Sequence, residues 1–305
     1  MTAGKILEKG LKTAALAAAA GAAVSYAEKN LLSTVCYELD SHGKLDKDIT
    51  AVFLTDLHEK EFGDGNFRLL HAIYRAEPDL ILIGGDMPVV KERACCEVSL
   101  RLIRTLAAKY PVFYGSGNHE LRWDRDRGVY GDSYDRYRAE LEECGVIFLG
   151  GMIKDASDLE GEGRKTCRVS CDFGSGLMIS GLDLTQAHYH RFTHAQLDEA
   201  YIRDHIGEPD QSCYNIVLVH SPEFHEPLAG FGADLILSGH FHGGTIRLPG
   251  DLGLMTPQYQ FFKNNVTGIR YHEGVPMVIS SGLGTHSINI RINDRPQTVI
   301  LHIRH

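Results

Sequence analysis

No Cys-x-x-Cys pair occurs in this chain, and its seven cysteines are an odd number: Cys36, Cys95, Cys96, Cys144, Cys167, Cys171 and Cys213. Their spacing excludes a zinc knuckle and argues against a disulfide frame. Several fall in apolar segments and read as reduced core residues. Positive charge is also short, with 31 Lys and Arg against 40 Asp and Glu for a formal net of -9. A broad basic face is therefore excluded, and there is no basic stripe with interleaved aromatics, so no nucleic-acid partner is expected. Internal repeats, a composition break and low-complexity tracts beyond the N-terminus are all missing. What is left, 305 residues of which 43% are hydrophobic, suffices for one large domain or two small ones.

A long apolar run is the last absence. Residues 13–27 are nearly all Ala, with Leu16, Val24 and Tyr26; Lys5, Lys9 and Lys12 precede them and Glu28-Lys29-Asn30 closes them. Basic, apolar, polar is the order of an export segment or a membrane anchor, yet about fifteen residues fall short of the roughly 20 needed to span a bilayer. Ser25-Tyr26-Ala27 places small residues where a signal peptidase cuts. The other reading is an Ala-rich helix packed on the domain. Insertion would keep the lysines inside and the rest of the chain outside, which sits uneasily with reduced cysteines. The division expected is 1–30, anchor or export segment, and 31–305, folded domain.

From residue 49 onward the pattern is rhythmic. Residues 49–55, 79–83, 111–114 and 146–149 are short, apolar, β-branched runs that read as buried strands, separated by helical patterns over 67–76, 92–109 and 133–143. Later runs at 168–172, 177–180, 214–219, 234–237, 267–271, 277–279 and 298–303 are further strands, with Glu273-Gly274 as a hairpin turn. Strands alternating with helices make an α/β layered domain whose site lies along the strand ends.

Those ends carry metal-ligand types: Asp56 and His58, Asp86, Asn118, His220, then His240 and His242 in Gly239-His240-Phe241-His242-Gly243-Gly244. Each alone is an ordinary turn residue or a hydrogen-bonded His. Their joint placement at five apolar strand ends is what a chance arrangement does not produce. Three carboxylate or amide oxygens and four imidazoles suit two divalent ions of the Zn, Mn or Fe(II) kind, a pair that clamps the oxygens of an in-line displacement at phosphorus.

Asp56-x-His58, Gly85-Asp86, Gly117-Asn118-His119-Glu120, His220 and Gly239-His240-x-His242, in this order, resemble the motif set of the calcineurin-like metallophosphoesterases, from residue 49 to the C-terminus. Ile246-Arg247-Leu248-Pro249, Ser281-Gly282-Leu283-Gly284 and Asn293-Asp294-Arg295-Pro296 are similar to the bacterial YkuE/YaeI-like branch, whose members commonly begin with a hydrophobic anchor or export segment. The resemblance implies a four-layer αββα sandwich with a dinuclear centre. One metal would take Asp56, His58, Asp86 and His242; the other would take Asp86, Asn118, His220 and His240, with Asp86 bridging. His119 is implied as general acid or transition-state stabiliser at the leaving-group oxygen, with Glu120 orienting it. Val89 is not the Tyr that gives purple acid phosphatases their Fe(III) centre, so Mn or Zn is expected ahead of Fe. Thr245 and His286 depart from the branch pattern, at positions that would border the substrate. Arg122, Arg125 and Arg127 alternate with Asp124 and Asp126, and read either as phosphate holders or as a loop of internal ion pairs.

The expectation is a dinuclear-metal-dependent phosphohydrolase that cleaves a phosphodiester or pyrophosphate by attack of a metal-bound hydroxide. Its partner is a small-molecule or lipid-linked phosphoester, such as a UDP-acylglucosamine. Residues 1–30 would associate it with the bacterial cell membrane, the domain lying outside; a cytoplasmic or peripheral place stays open. The alternatives are a phosphomonoesterase, a nuclease, and a non-catalytic metal-binding scaffold of the same fold. Scaffold members lose ligands, whereas here every position is filled.

Overall fold

Period-two alternation along the strands sorts the core into layers, as the computed structural model of residues 3–149, 170–174, 176–190, 195–285 and 288–305 shows. In Ile49–Leu54, Val52 and Leu54 face one side and Ala51 and Phe53 the other; in Leu80–Ile83, Ile81 and Ile83 oppose Leu80 and Leu82. Val217 and Val219 likewise oppose Ile216 and Leu218 in Tyr214–Val219. Both faces of each sheet are apolar, so both must be covered.

One sheet runs Ser33–Asp40, Gln297–Arg304, Ile49–Leu54, Leu80–Ile83, Val112–Gly115, Ile147–Leu149. The other runs Gly268–His272, Val275–Ile279, Leu235–Ser238, Tyr214–Val219, Leu177–Leu182, Ser170–Asp172. Their facing surfaces meet through Phe53, Leu82, Phe113, Ile216, Leu218, Leu237 and Leu301. Helices Phe67–Arg75, Glu97–Ala107 and Ser133–Glu143 cover the outer face of the first sheet with Ile73, Ile103 and Leu141. Glu199–Ile206 and His225–Phe231 cover the second with Ile202 and Leu228. The expected four-layer αββα sandwich is present. The central strands are parallel, so their C-terminal ends open on one edge.

The expected 92–109 helix is shorter. Glu97–Ala107 is helical, and the residues before it pair as Val89–Val90 with Ala94–Cys95. Strand Ser33–Asp40 was not anticipated; its faces alternate between half-buried and exposed, which gives an edge strand no apolar run to announce it. The reading of the cysteines as core residues is corrected: Cys36 is exposed and Cys95, Cys96, Cys144 and Cys213 are half-buried, all with free thiols. Cys167, His286 and the start of the expected 168–172 strand lie outside the described residues.

Residues Ala3–Asn30 form one helix, as Ala predicts. Residues 8–20 are exposed all round, and the helix touches the domain through its last turns. Ser25 Oγ accepts the Arg291 N–H (3.1 Å), Glu28 Oε2 accepts the Asp294 N–H (3.1 Å), and Asn30 O accepts from Arg68 (3.1 Å). No helix among the described residues is long and apolar enough to cross a membrane, which leaves the expected spanning anchor without support.

Candidate metal centre

All seven candidates lie at the open edge, on the loops that leave five strands. Asp56 and His58 follow Ile49–Leu54, Asp86 follows Leu80–Ile83, and Asn118 begins the helix Asn118–Arg125 after Val112–Gly115. His220 follows Tyr214–Val219; His240 and His242 follow Leu235–Ser238. Asp56, His58, Asp86, His240 and His242 all have left-handed backbone, with φ of 53°, 45°, 53°, 66° and 47°. For non-glycine residues this conformation costs on the order of 1–3 kcal/mol each and persists only where the surroundings impose it.

The surroundings do so by cross-linking the loops. The Asp56 and His58 amides donate to Gly85 O (2.9 Å) and Asp86 O (3.1 Å), Gly239 N–H donates to His220 O (3.0 Å), and Gly284 N–H donates to Asp56 O (2.6 Å). Two glycines are required by close approach: a Cβ on Gly117 would lie 2.3 Å from Asp86 Oδ1, and one on Gly239 would lie 2.2 Å from Asp56 Oδ2. Gly84 is pressed against the Phe53 ring, 2.7 Å from where its Cβ would be.

Three groups of potential ligands result: Asp56, His58 and His242; Asp86, His220 and His240; and His58, Asp86 and His119, with the donor atoms in each within 4.8 Å of one another. His242 Nε2 is 3.2 Å from both His58 Nε2 and Asp56 Oδ1, and His220 Nε2 is 3.4 Å from Asp86 Oδ2. Asn118 lies with His240 on the wall of the same edge.

Hydrogen bonds at the far side of each ring set which nitrogen is bare. The Nδ1–H of His220 donates to Gly84 O (2.7 Å) and that of His242 to Gly284 O (3.3 Å), so in the neutral rings, the forms that bind a metal, both Nε2 lone pairs face the centre. His119 is held the other way: its Nδ1 accepts the Val90 N–H (2.7 Å), so the proton of the neutral ring sits on Nε2. Burial lowers its pKa, which favours that neutral form. His119 is thus built as a donor and the other two as ligands.

The electrostatics call for cations. Burial pushes Asp56 up to about 6. At Asp86 burial acts in the same direction, but His220, His119 and His58 overcome it and hold the carboxyl well below the usual range. Burial opposes charge on His220, yet Asp86 and Asp56 raise it to about 10. Asp86 Oδ2, Asn118 Oδ1 and His220 Nε2 are buried without a hydrogen-bond partner among the described residues, the condition a coordinated ion relieves.

Glu120 does not orient His119. Its carboxylate accepts from the amides of Asp86 (2.9 Å), Met87 (3.1 Å) and Gly117 (3.0 Å) and from Tyr114 Oη (2.6 Å), tying the Asp86 loop to the Asn118 loop. Burial and Asp86 push it up to about 7. Arg125 pairs with Asp126 and Arg127 with Asp124 and Asp135, so the ion-pair reading holds for these two. Arg122 donates to Val90 O (2.8 Å) and lines a cavity with Asn118 and His240.

Two buried residues escaped the sequence reading. Arg291 donates to Ser281 O (2.6 Å), Gly284 O (2.5 Å) and Asp294 Oδ2 (2.8 Å), bracing the loop that holds Asp56. Its only signal was the Ser-Gly-Leu-Gly run after a strand. Asp183, at the end of Leu177–Leu182, is pushed up to about 7 by burial against hydrogen bonds from Ser116. It stands at a strand end like the others, and the same criterion would have found it.

The model of the family described as calcineurin-like phosphoesterase matches residues 49–244. Among curated relatives, the uncharacterized metallophosphoesterase YkoQ of Bacillus subtilis is 26% identical over 84% of this chain and 84% of its own length. Bacillus subtilis YpbG is 26% identical over 96% and 95%, and YkuE of the same organism 23% over 76% and 70%. A solved 5'-nucleotidase precursor from Thermus thermophilus aligns with TM-score 0.41 and 17% identity, covering 77% of this chain and 49% of that one, so the chain spans about half the nucleotidase's length.

Proposed function

The chain belongs to the calcineurin-like phosphoesterase family, and from that premise we propose a dinuclear hydrolase of phosphodiesters or pyrophosphates. One ion is assigned to Asp56, His58, Asp86 and His242, the other to Asp86, Asn118, His220 and His240. The observation that carries this is the pair of buried donor groups, Asp56–His58–His242 and Asp86–His220–His240, with Nε2 of His220 and His242 turned inward by carbonyls. When bound, two divalent ions supply Lewis acidity and a water of lowered pKa. The chain's own residues do the rest: Glu120 fixes the Asp86 loop, and His119 Nε2–H is positioned to donate a hydrogen bond to the departing oxygen and stabilise the charge that develops there. Mn or Zn suits the mixed nitrogen and oxygen donors, and Fe(II) is accommodated by the same set. Chelation should abolish hydrolysis of bis-p-nitrophenyl phosphate and Mn or Zn should restore it. Activity that survives chelation and dialysis overturns the reading.

A lipid-linked diester such as a UDP-acylglucosamine is the finer part of the proposal. The apolar residues Met255, Pro257, Tyr259, Ile288 and Ile290 beside His242 support it as a surface for an alkyl chain, the cavity they enclose being only about 20 Å³. Equal kcat/KM on an acylated and an unacylated sugar nucleotide removes it. The exposed helix, with Leu11, Leu16 and Tyr26 outward, supports peripheral contact with a membrane; cosedimentation with anionic vesicles that persists without residues 2–20 counts against that.

A further inference from the structure

We propose that the last turn of the N-terminal helix and Lys60 form an anion subsite beside His58 that receives the second phosphate of a diphosphate diester, on the departing side of the scissile bond. The inference rests on the phosphohydrolase reading of the centre. A cavity of about 360 Å³ runs from His58 to the helix end, with Tyr26, Lys29, Glu59, Lys60 and Asn289 among its lining. Lys60 Nζ donates to Asn30 Oδ1 (2.7 Å), Lys29 Nζ to Asn289 O (2.9 Å) and Oδ1 (3.0 Å), and Arg68 to Asn30 O (3.1 Å).

These three cations come from separate segments of a chain with net charge -9, and none makes an ion pair among the described residues. The two nearby carboxylates, Glu59 on the cavity wall and Glu28, keep their charge but form no ion pair with these cations, their oxygens being held by backbone amides. Glu59 accepts the Val98 (2.8 Å) and Ser99 (2.9 Å) amides at the start of Glu97–Ala107, and Glu28 accepts the Asp294 amide (3.1 Å). Three cations held by Asn30 and Asn289 against two carboxylates leave a net positive site, which an anion relieves. Position supports the departing side: the His119 ring stands edge-on to His58 with centroids 4.8 Å apart, so its hydrogen bond is offered next to this cavity. In the reaction, water supplies its OH to the attacked phosphorus, the anhydride P–O bond breaks, and the bridging oxygen leaves with the second phosphate and water's other proton. Two phosphomonoesters result.

The test compares kcat/KM for UDP-N-acetylglucosamine, for CDP-diacylglycerol in detergent micelles and for bis-p-nitrophenyl phosphate, in wild type and in Lys29→Ala/Lys60→Ala, with Mn present. The ratio of each diphosphate diester to the single-phosphorus diester should fall at least tenfold in the double variant and recover in Lys29→Arg/Lys60→Arg. A parallel loss on all three, no loss, or a fall on the lipid substrate alone overturns the subsite while leaving the phosphohydrolase reading intact. Should none of the three be turned over by wild type, that reading fails, and calorimetric binding of UDP-N-acetylglucosamine decides the subsite: equal affinity in wild type and double variant overturns it.

Discussion

On the Asn118 side of the centre, Arg125 and Arg127 face Asp126, Asp124 and Asp135, carboxylates within ten residues of them in the chain; on the His58 side, Lys29, Lys60 and Arg68 stand among amides and carbonyls. The first set is neutralised by its own loop. The second brings Lys29 to Lys60 and Arg68, which lie about thirty residues or more further along the chain, and is left with net positive charge at the edge of the site. A cation's use therefore follows from what folds beside it, not from its number near the centre, and the two sides make different demands on a substrate.

Asp86 lies between the sides, and its substitution should erase the difference. Asp86→Asn removes the group shared by both proposed ions and should lower phosphodiesterase activity by at least about a thousandfold, with metal content by elemental analysis falling on both sites. Retention of one tightly bound ion would show that Asp86 serves only one side. His119→Ala sharpens the assignment of the departing side: an alkyl ester, whose departing oxygen carries the most charge, should lose roughly 10²–10³-fold, while a p-nitrophenyl ester loses far less. Equal losses on the two esters would remove His119 as the hydrogen-bond donor to that oxygen.

Most of the architecture was legible because buried strands are short apolar runs, and five of them end in Asp, Asn or His. Each of those residues was brought to one edge. What could not be read has a common physical cause. Strand Ser33–Asp40 pairs along an edge, where Val35, Tyr37 and Leu39 alternate with exposed residues instead of forming an apolar run, and Arg291 is buried by three carbonyls and Asp294 that only the fold assembles. Glu120 looked like a partner for its neighbour His119, but the helical start at Asn118 turns it back to the Asp86 loop. The N-terminal run was read from its Ala content, whereas its attachment depends on Ser25, Glu28 and Asn30, polar residues at the end of that run.

Metal-free protein offers a test of the two sides through stability. Asp56 is raised from 3.8 to about 6, so its contribution to folding is present below pH 4 and lost as pH rises through 6. His220 is raised from 6.5 to about 10, and its contribution is likewise lost as pH rises between those values. Asp86, held low, weakens the fold only in acid below the ordinary carboxylate range. Chelator-treated protein should therefore lose several degrees of Tm in stages between about pH 4 and pH 10, and added Mn or Zn should flatten the fall. A Tm that rises with pH in the metal-free form would contradict the charge arrangement assigned to both sides.

The smallest effect belongs to the neutralised arginines. Arg125 and Arg127 are partly exposed and already paired, so the pairs with Asp126 and Asp135 are worth about 0–1 kcal/mol each once solvent and salt screen them, and the pair with the buried Asp124 is worth more. Arg125→Ala/Arg127→Ala should shift Tm by a few degrees at most and leave the preference between one-phosphorus and diphosphate diesters within about twofold. The outcome bears directly on the contrast between the sides, because a substrate phosphate would have to break Arg125–Asp126 to gain its guanidinium, exchanging one ion pair for another with little net gain. If this double variant changes diester preference as strongly as Lys29→Ala/Lys60→Ala, the internal pairs do not hold when substrate is present, and the Asn118 side is a phosphate site as well.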